Sequence, residues 1–311
     1  MMPARRRLIV GTRGSTLALR QSEAVVFALR RSWPDLEVTI ETIQTTADRF
    51  PDHGFERFPG IGFFVKELEV ALLEGRIDVA VHSMKDLPAA EGDGLRIAAT
   101  PEREDPRDAL VSRDGRGLLV LPRGARVGTS SPRRTAFLRA ARADLTVVPI
   151  RGNVETRLRK LDVGDFDAVC LAWAGLRRIG LETRVTEVLP VDVMLPAPGQ
   201  GALGVQVRDG DAAADLAGVL DHAATRAAVD AERAILHRLQ GGCRLPVGAY
   251  AVLEGTTLVL NGAVVAPDGS ASVRGRRAGL STEAAQMGRE LADELLARGA
   301  GTMLPAEGSP R

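Results

Sequence analysis

The sequence predicts an α/β protein in which two similar domains precede a small α+β domain. Three observations carry this. Strand and helix patterns alternate through the first hundred residues, residues 10–20 and 74–87 are echoed at 127–139 and 163–176, and the pattern changes character after about residue 223. Strands alternating with helices build parallel βαβ units, whose ligands sit at strand C-terminal ends.

Each element follows from its residues. LIVGT is a short apolar strand, and from Ser15 the apolar residues Leu17, Ala24, Val25, Ala28 and Leu29 keep helical spacing. LEVTIETI alternates as a strand, FFVKELEVALLEG is a helix stopped by Gly75, and IDVAVHSM is a buried strand. The polar strand ends are Thr12–Ser15, Thr45–Asp48 and His82–Asp86.

The echo aligns VGTRGSTLALR with VGTSSPRRTAFLR, and EGRIDVAVHSMKDL with VGDFDAVCLAWAGL. Two segments read as hinges, TPEREDPRDA (100–109) with two prolines and the Pro/Gly-rich LPAPGQGALG (195–204). Two crossings between similar domains imply a bilobed clamp with a ligand cleft. After residue 223 come an Ala-rich helix, QGGCRLP, the alternating segments VGAYAVLEG, TLVLNGAVV and ASVRGRR, and a closing amphipathic helix.

Composition narrows the class. The chain has 311 residues, 45% of them hydrophobic, ample for two or three cores. Net charge is +1, so no global basic field points to nucleic acid. There is no run of about 18 apolar residues for a membrane span, and MMPARRRLIVG lacks a secretory apolar core. Cys170 and Cys243 make no disulfide framework, and the four histidines show no metal-ligand spacing. The expectation is a cytoplasmic protein without a structural metal, membrane contact or nucleic-acid partner.

The stretch from Arg126 to Arg157 carries the chemistry. A strand ends in Thr129, Ser130 and Ser131; Pro132 then suits a helical first turn, which holds Arg133 and Arg134. Cations are unfavourable at a helix N-terminus, so two arginines there point to an external anion, a carboxylate or phosphate. The next strand, VVPI, ends in Arg151, Gly152 and Asn153, with Arg157 one turn on. Arginine is abundant in a chain with only Lys66, Lys85 and Lys160 as lysines, so its count proves nothing; Lys85 in HSMKD is more informative. The loop TTADRFPDHGFERFPGIGFF holds five of the eight phenylalanines and is long for a βα connection, which fits a lid.

Taken in order, TRGSTLAL, FVKELEVALLEG, DVAVHSMKDLP, EREDPRDAL, VGTSSPRR, RGNVETRL, LPAPGQGALG, GGCRLPVGAY and APDGS resemble the porphobilinogen deaminase (hydroxymethylbilane synthase) family along the whole chain. The resemblance implies two periplasmic-binding-protein-like type II domains, the first discontinuous, plus a small α+β domain. The boundaries expected are 1–101 with 200–222, then 105–197, then 223–311. It implies a monomeric transferase that joins four porphobilinogen molecules head to tail into hydroxymethylbilane with release of ammonia. The chain grows on a dipyrromethane cofactor held by a thioether.

Residue by residue, Asp86 matches the catalytic aspartate, able to protonate the leaving amine and then stabilise positive charge. Cys243, on a loop after two glycines and beside Arg244, suits cofactor attachment, whereas Cys170 lies in a strand that reads as buried. Cofactor contacts fall to Ser83, Lys85, Thr129, Ser130, Ser131, Arg133, Arg134, Gly152 and Arg157. Substrate contacts fall to Arg13, Ser15, Arg151, Arg157 and Arg178. Each pyrrole carries an acetate and a propionate, and guanidinium forks grip carboxylates. One departure stands out: the family's glycine-lysine-glycine is Gly60-Ile61-Gly62 here, with Arg57 as the nearby cation. The alternative reading is a bilobed solute-binding protein for a small carboxylate.

Overall fold

A computed structural model describes residues 7–45, 65–88, 92–240 and 245–304. Residues 46–64 of the expected lid, Arg57 and Ile61 among them, and the Cys243–Arg244 pair lie outside the described residues.

The first stretch holds β1 (Arg7–Thr12), α1 (Thr16–Ser32), β2 (Glu37–Thr42), α2 (Lys66–Leu73), β3 (Val79–Ser83) and β4 (Leu95–Ala99). The middle holds β5 (Asp108–Ser112), β6 (Arg126–Gly128), α3 (Pro132–Ala141), β7 (Thr146–Val148), α4 (Val154–Asp162), β8 (Ala168–Ala172), α5 (Trp173–Arg178) and β9 (Glu187–Val188). Then follow β10 (Leu203–Arg208), α6 (Ala213–Gly218), α7 (Ala223–Arg238), β11 (Val247–Glu254), β12 (Thr257–Val265), β13 (Ser272–Leu280) and α8 (Ala284–Ala297).

The chain forms two compact units, residues 1–104 with 202–226, and residues 105–201 with 227–311. In the first, the sheet runs β2-β1-β3-β10-β4, with β1 parallel to β2 and β3 and β10 antiparallel to both neighbours. In the second, one sheet runs β7-β6-β8-β5-β9 with β6 parallel to β7 and β8 and β5 antiparallel to its neighbours. The two orders are the same once β1 is matched to β6 and β3 to β8, the pairs that the sequence echo aligns. This is the α/β topology the resemblance implies.

Local chemistry explains why the strands give way to helices where they do. Ser15, Ser131 and Asn153 are N-caps of α1, α3 and α4, and their side chains accept from the N–H groups of Ala18, Arg134 and Thr156. Each such cap contributes about 1 kcal/mol. Pro132 occupies the first turn of α3, where its missing N–H costs no helical bond. Gly75, at φ 72°, turns the chain out of α2 into β3.

Three boundaries differ from the sequence reading. β7 ends at Val148, before Pro149, which has no N–H for a ladder. β5 begins inside the first hinge segment and β10 inside the second. Gly204 lies within β10, paired with His82, and a Cβ there would meet Met84 Cε at 3.1 Å and Leu87 Cδ1 at 3.0 Å. The glycine marks a close approach within a strand.

The C-terminal strands form the antiparallel sheet β11-β12-β13, as the alternation predicts. Ala228, Ala231 and Ile235 of α7 and Leu291 and Leu295 of α8 pack with Leu258 and Leu260 in one core. The same sheet reaches the second α/β core, since Ala263 and Val265 pack with Phe137 and Leu138 of α3. The APDGS turn explains itself here: Gly269 lies so close to α3 that a Cβ would fall 2.5 Å from the Ala140 nitrogen. Arg139 of α3 in turn donates to the Pro267 carbonyl at 2.9 Å.

Candidate active site

In the first unit, β3 ends in a tight 3₁₀ turn, Met84–Asp86, held by the Met84 N–H on the Ala202 carbonyl at 3.0 Å. A pocket opens there, lined among others by Arg13, Ser15, Gln21, His82, Ser83 and Asp86. It brings together four of the residues read from the sequence: Arg13, Ser15, Ser83 and Asp86. Lys85 lies in the same turn. A carboxylate beside a guanidinium and hydroxyls can receive a cationic amine while a neighbouring cation receives carboxylates.

Two further polar side chains line this pocket, neither given a role from the sequence. Gln21, buried on α1, donates to Ser83 Oγ at 2.9 Å and so fixes that hydroxyl. His82 is buried on β3, with Nε2 at 2.9 Å from Gln206 Oε1. The Gln206 amide nitrogen donates to Glu69 Oε1 at 3.3 Å, which leaves its oxygen to accept from His82. Burial lowers the His82 pKa to about 4, the Gln206 bond opposes this, and Arg13 adds to the lowering. His82 is therefore a neutral ring beside Asp86.

In the second unit, α3 turns its two arginines inward. Arg133 Nη1 donates to Asp108 Oδ2 at 2.6 Å and to the Leu195 carbonyl at 2.7 Å. Arg134 donates through Nε to Asp108 Oδ1 at 2.9 Å and through Nη1 to the Cys170 carbonyl at 3.1 Å. The side chains are 3% and 7% exposed, and Asp108 is 0% exposed. Beside the external anion expected from the sequence, these guanidiniums meet an internal one, the Asp108 carboxylate. Burial pushes the Asp108 carboxyl up, but Arg133 and Arg134 outweigh it and hold the group well below the usual carboxylate range. The only sign of Asp108 in the sequence is its place in the EREDPRDAL motif.

The nearby hydroxyls are engaged too. Ser130 donates to the Ile150 carbonyl at 2.6 Å and accepts from the Ile150 N–H, tying the ends of β6 and β7 together. Thr129 Oγ1 accepts from the Ser131 N–H at 3.2 Å. Gly152, at φ 103°, leads into α4, and its carbonyl accepts from Arg157 Nε at 2.9 Å. The Arg151 carbonyl takes Lys160 Nζ, and Arg178 donates to the Gly201 carbonyl at 2.6 Å.

One donor in this cluster is left over: Arg133 Nε is buried with no hydrogen-bond partner among the described residues. A buried, unmet guanidinium N–H fits a ligand carboxylate.

Within the segment 195–204 that the sequence presents as a hinge, residues Pro196–Gln200 are tied down by hydrogen bonds. Pro196 accepts from Ala249, the Gly199 N–H meets Glu232, and Gln200 donates to the Pro106 carbonyl and to Asp108. Glu232 spends its other oxygen on the Ala251 N–H at 2.8 Å. The segment thus joins the Arg133–Asp108 cluster to β11 and α7.

Comparison with known proteins identifies the family. Residues 8–215 match the family model "Porphobilinogen deaminase, dipyromethane cofactor binding domain", and residues 226–297 match "Porphobilinogen deaminase, C-terminal domain". The chain is 50% identical over 301 residues to a porphobilinogen deaminase of Desulforudis audaxviator, covering 96% of this chain and 97% of that one. It is also 50% identical to one of Roseiflexus castenholzii, covering 96% and 99%. A looser likeness, 16% identical with a TM-score of 0.43 over 69% of this chain and 91% of the other, is to an arginine-specific periplasmic binding protein of Salmonella typhimurium. Among the described residues no helix is long and apolar enough to cross a membrane. The chain belongs to the porphobilinogen deaminase family, transferases that bind a dipyrromethane cofactor and polymerise porphobilinogen into hydroxymethylbilane for tetrapyrrole biosynthesis.

Proposed function

We propose that Asp86 is the catalytic acid of this reaction and that the pocket around it receives porphobilinogen. The gathering of Asp86 with Arg13, Ser15 and Ser83 in one pocket carries this reading. Asp86 delivers a proton to the leaving amine; as a carboxylate it then stabilises the positive charge that the departing ammonia leaves behind. At an effective dielectric near 20, a charge pair about 4 Å apart is worth about 4 kcal/mol. Neutral His82 adds no positive charge to compete for Asp86.

Cys243 is the attachment residue for the dipyrromethane cofactor, through a thioether formed by its thiolate. When bound, that group supplies the covalent primer from which the pyrrole chain extends. Ser83, Lys85, Thr129, Ser130, Ser131, Arg133, Arg134, Gly152 and Arg157 hold its acetates and propionates. The unmet Arg133 Nε supports this. Arg13, Ser15, Arg151, Arg157 and Arg178 take the carboxylates of incoming substrate.

The protein works as a cytoplasmic monomer. In support, the edge strand β13 exposes Arg274 and Arg276, charges that discourage strand-to-strand addition.

The test is Asp86→Asn. Turnover is expected to fall by about 10²–10³, with the cofactor mass and the unfolding midpoint unchanged. Turnover at the wild-type level removes Asp86 from the chemistry.

A further inference from the structure

Asp108 stands at the first residue of β5, 0% exposed, and divides its two carboxylate oxygens between two guanidiniums. Oδ2 takes Arg133; Oδ1 takes Arg134 and, at 3.0 Å, the amide of Gln200. Arg134 is held on three sides, by Asp108, by the Cys170 carbonyl and by Gln200 Oε1 at 3.4 Å. Arg133 is held through Nη1 alone, and its Nε is buried without a partner among the described residues. Of the two neighbours on α3, Arg134 is therefore the more firmly held, and Arg133 is braced at one end with a donor in hand.

We infer that Asp108 is a positioning residue for the dipyrromethane site: with Arg134 and Gln200 as its brace, it sets the plane of the Arg133 guanidinium so that Nε meets a cofactor carboxylate. The inference rests on the reading that Arg133 binds that group. A bidentate or paired donor is useful only if its plane is set in advance, and a displacement of about 1 Å in a preorganised group costs about 10²-fold in rate. The carbonyl of Leu195 holds the same Nη1 from a second direction, so the plane is fixed by two acceptors on different segments.

The experiment compares apo-protein of the wild type, Asp108→Glu, Asp108→Asn and Arg133→Leu. Asp108→Glu keeps the charge and moves the carboxylate by one methylene; Asp108→Asn keeps the shape and removes the charge. Each protein is incubated with porphobilinogen, and the share of chains gaining the dipyrrole mass is followed by denatured intact mass, beside a thermal unfolding curve. A folded Asp108→Glu is expected to load about 10²-fold more slowly than wild type, with Asp108→Asn at least as slow wherever it folds. Loading at the wild-type rate in a folded Asp108 variant overturns the inference, because a purely structural residue would lower the unfolding midpoint alone. Failure of both variants to fold also overturns it, in favour of a structural role. If Arg133→Leu loads at the wild-type rate, the underlying reading of Arg133 fails instead, whatever the Asp108 variants do.

Discussion

The buried carboxylate of Glu232 accepts the backbone N–H of Gly199 at 2.7 Å. Its other oxygen accepts from Ala251, so one side chain of α7 satisfies two buried donors on separate segments. Removing it strands both, at about 1–3 kcal/mol each. Glu232→Leu is expected to lower the unfolding free energy by about 2–6 kcal/mol in a urea titration. Glu232→Gln, which keeps one acceptor, should lose about half of that. Equal stability in all three proteins would mean that water replaces the carboxylate.

His82 gives the protein a pH-dependent stability with a definite sign. The unfolded ring titrates near 6.5, whereas burial lowers the native pKa to about 4. Between those values the unfolded chain binds more protons, so stability is full above pH 6.5 and declines as pH falls toward 4. At about 1.4 kcal/mol for each pH unit of separation, the loss approaches about 3 kcal/mol. The unfolding free energy of the wild type, compared with His82→Gln at pH 7, 5.5 and 4.5, isolates this contribution. Parallel pH curves for the two proteins would assign the slope to other groups.

Cofactor attachment is read by mass. The wild-type chain, denatured, is expected to carry the added mass of a dipyrrole, and Cys243→Ser is expected to carry none. Cys170→Ser should keep the added mass, because Cys170 is buried inside β8. An adduct that survives the Cys243 change places the attachment elsewhere.

The contact of α7 with α8 tolerates no side chain at Gly288. A Cβ there would lie 2.2 Å from the Ala231 carbonyl oxygen and 2.6 Å from Ala234 Cβ. Gly288→Ala should therefore destabilise by about 1–3 kcal/mol through overpacking, despite the better helix propensity of alanine. A higher melting temperature for the variant would show that the helices separate at little cost.

The parts of this fold that were legible in the sequence are those set by neighbours in the chain. Ser15, Ser131 and Asn153 announce helix starts because an N-cap is bonded to an N–H three residues on, here Ala18, Arg134 and Thr156. The match of the two sheets was visible in the echo for the same reason: each βα step repeats its own local pattern. Asp108 was not legible, since its partners lie 25, 26 and 92 positions away. Nothing in the chain near Arg133 distinguishes a guanidinium waiting for a ligand from one already paired. β10 was hidden by composition, because Gly204 reads as a loop residue until the Met84 side chain beside it is known. In the Asp86 pocket, Arg13, Ser15 and Ser83 could be named from motifs, while Gln21 and His82 enter only through packing.

One acid shared by two bases also sets the order in which this corner of the protein can change over generations. Replacing Arg134 first gives up one cofactor contact but leaves a balanced charge couple of Asp108 and Arg133. Replacing Asp108 first leaves two buried cations facing each other, and burying an unmatched ion is among the most costly defects a fold can acquire. A lineage abandoning this arrangement must therefore lose an arginine before it loses the aspartate.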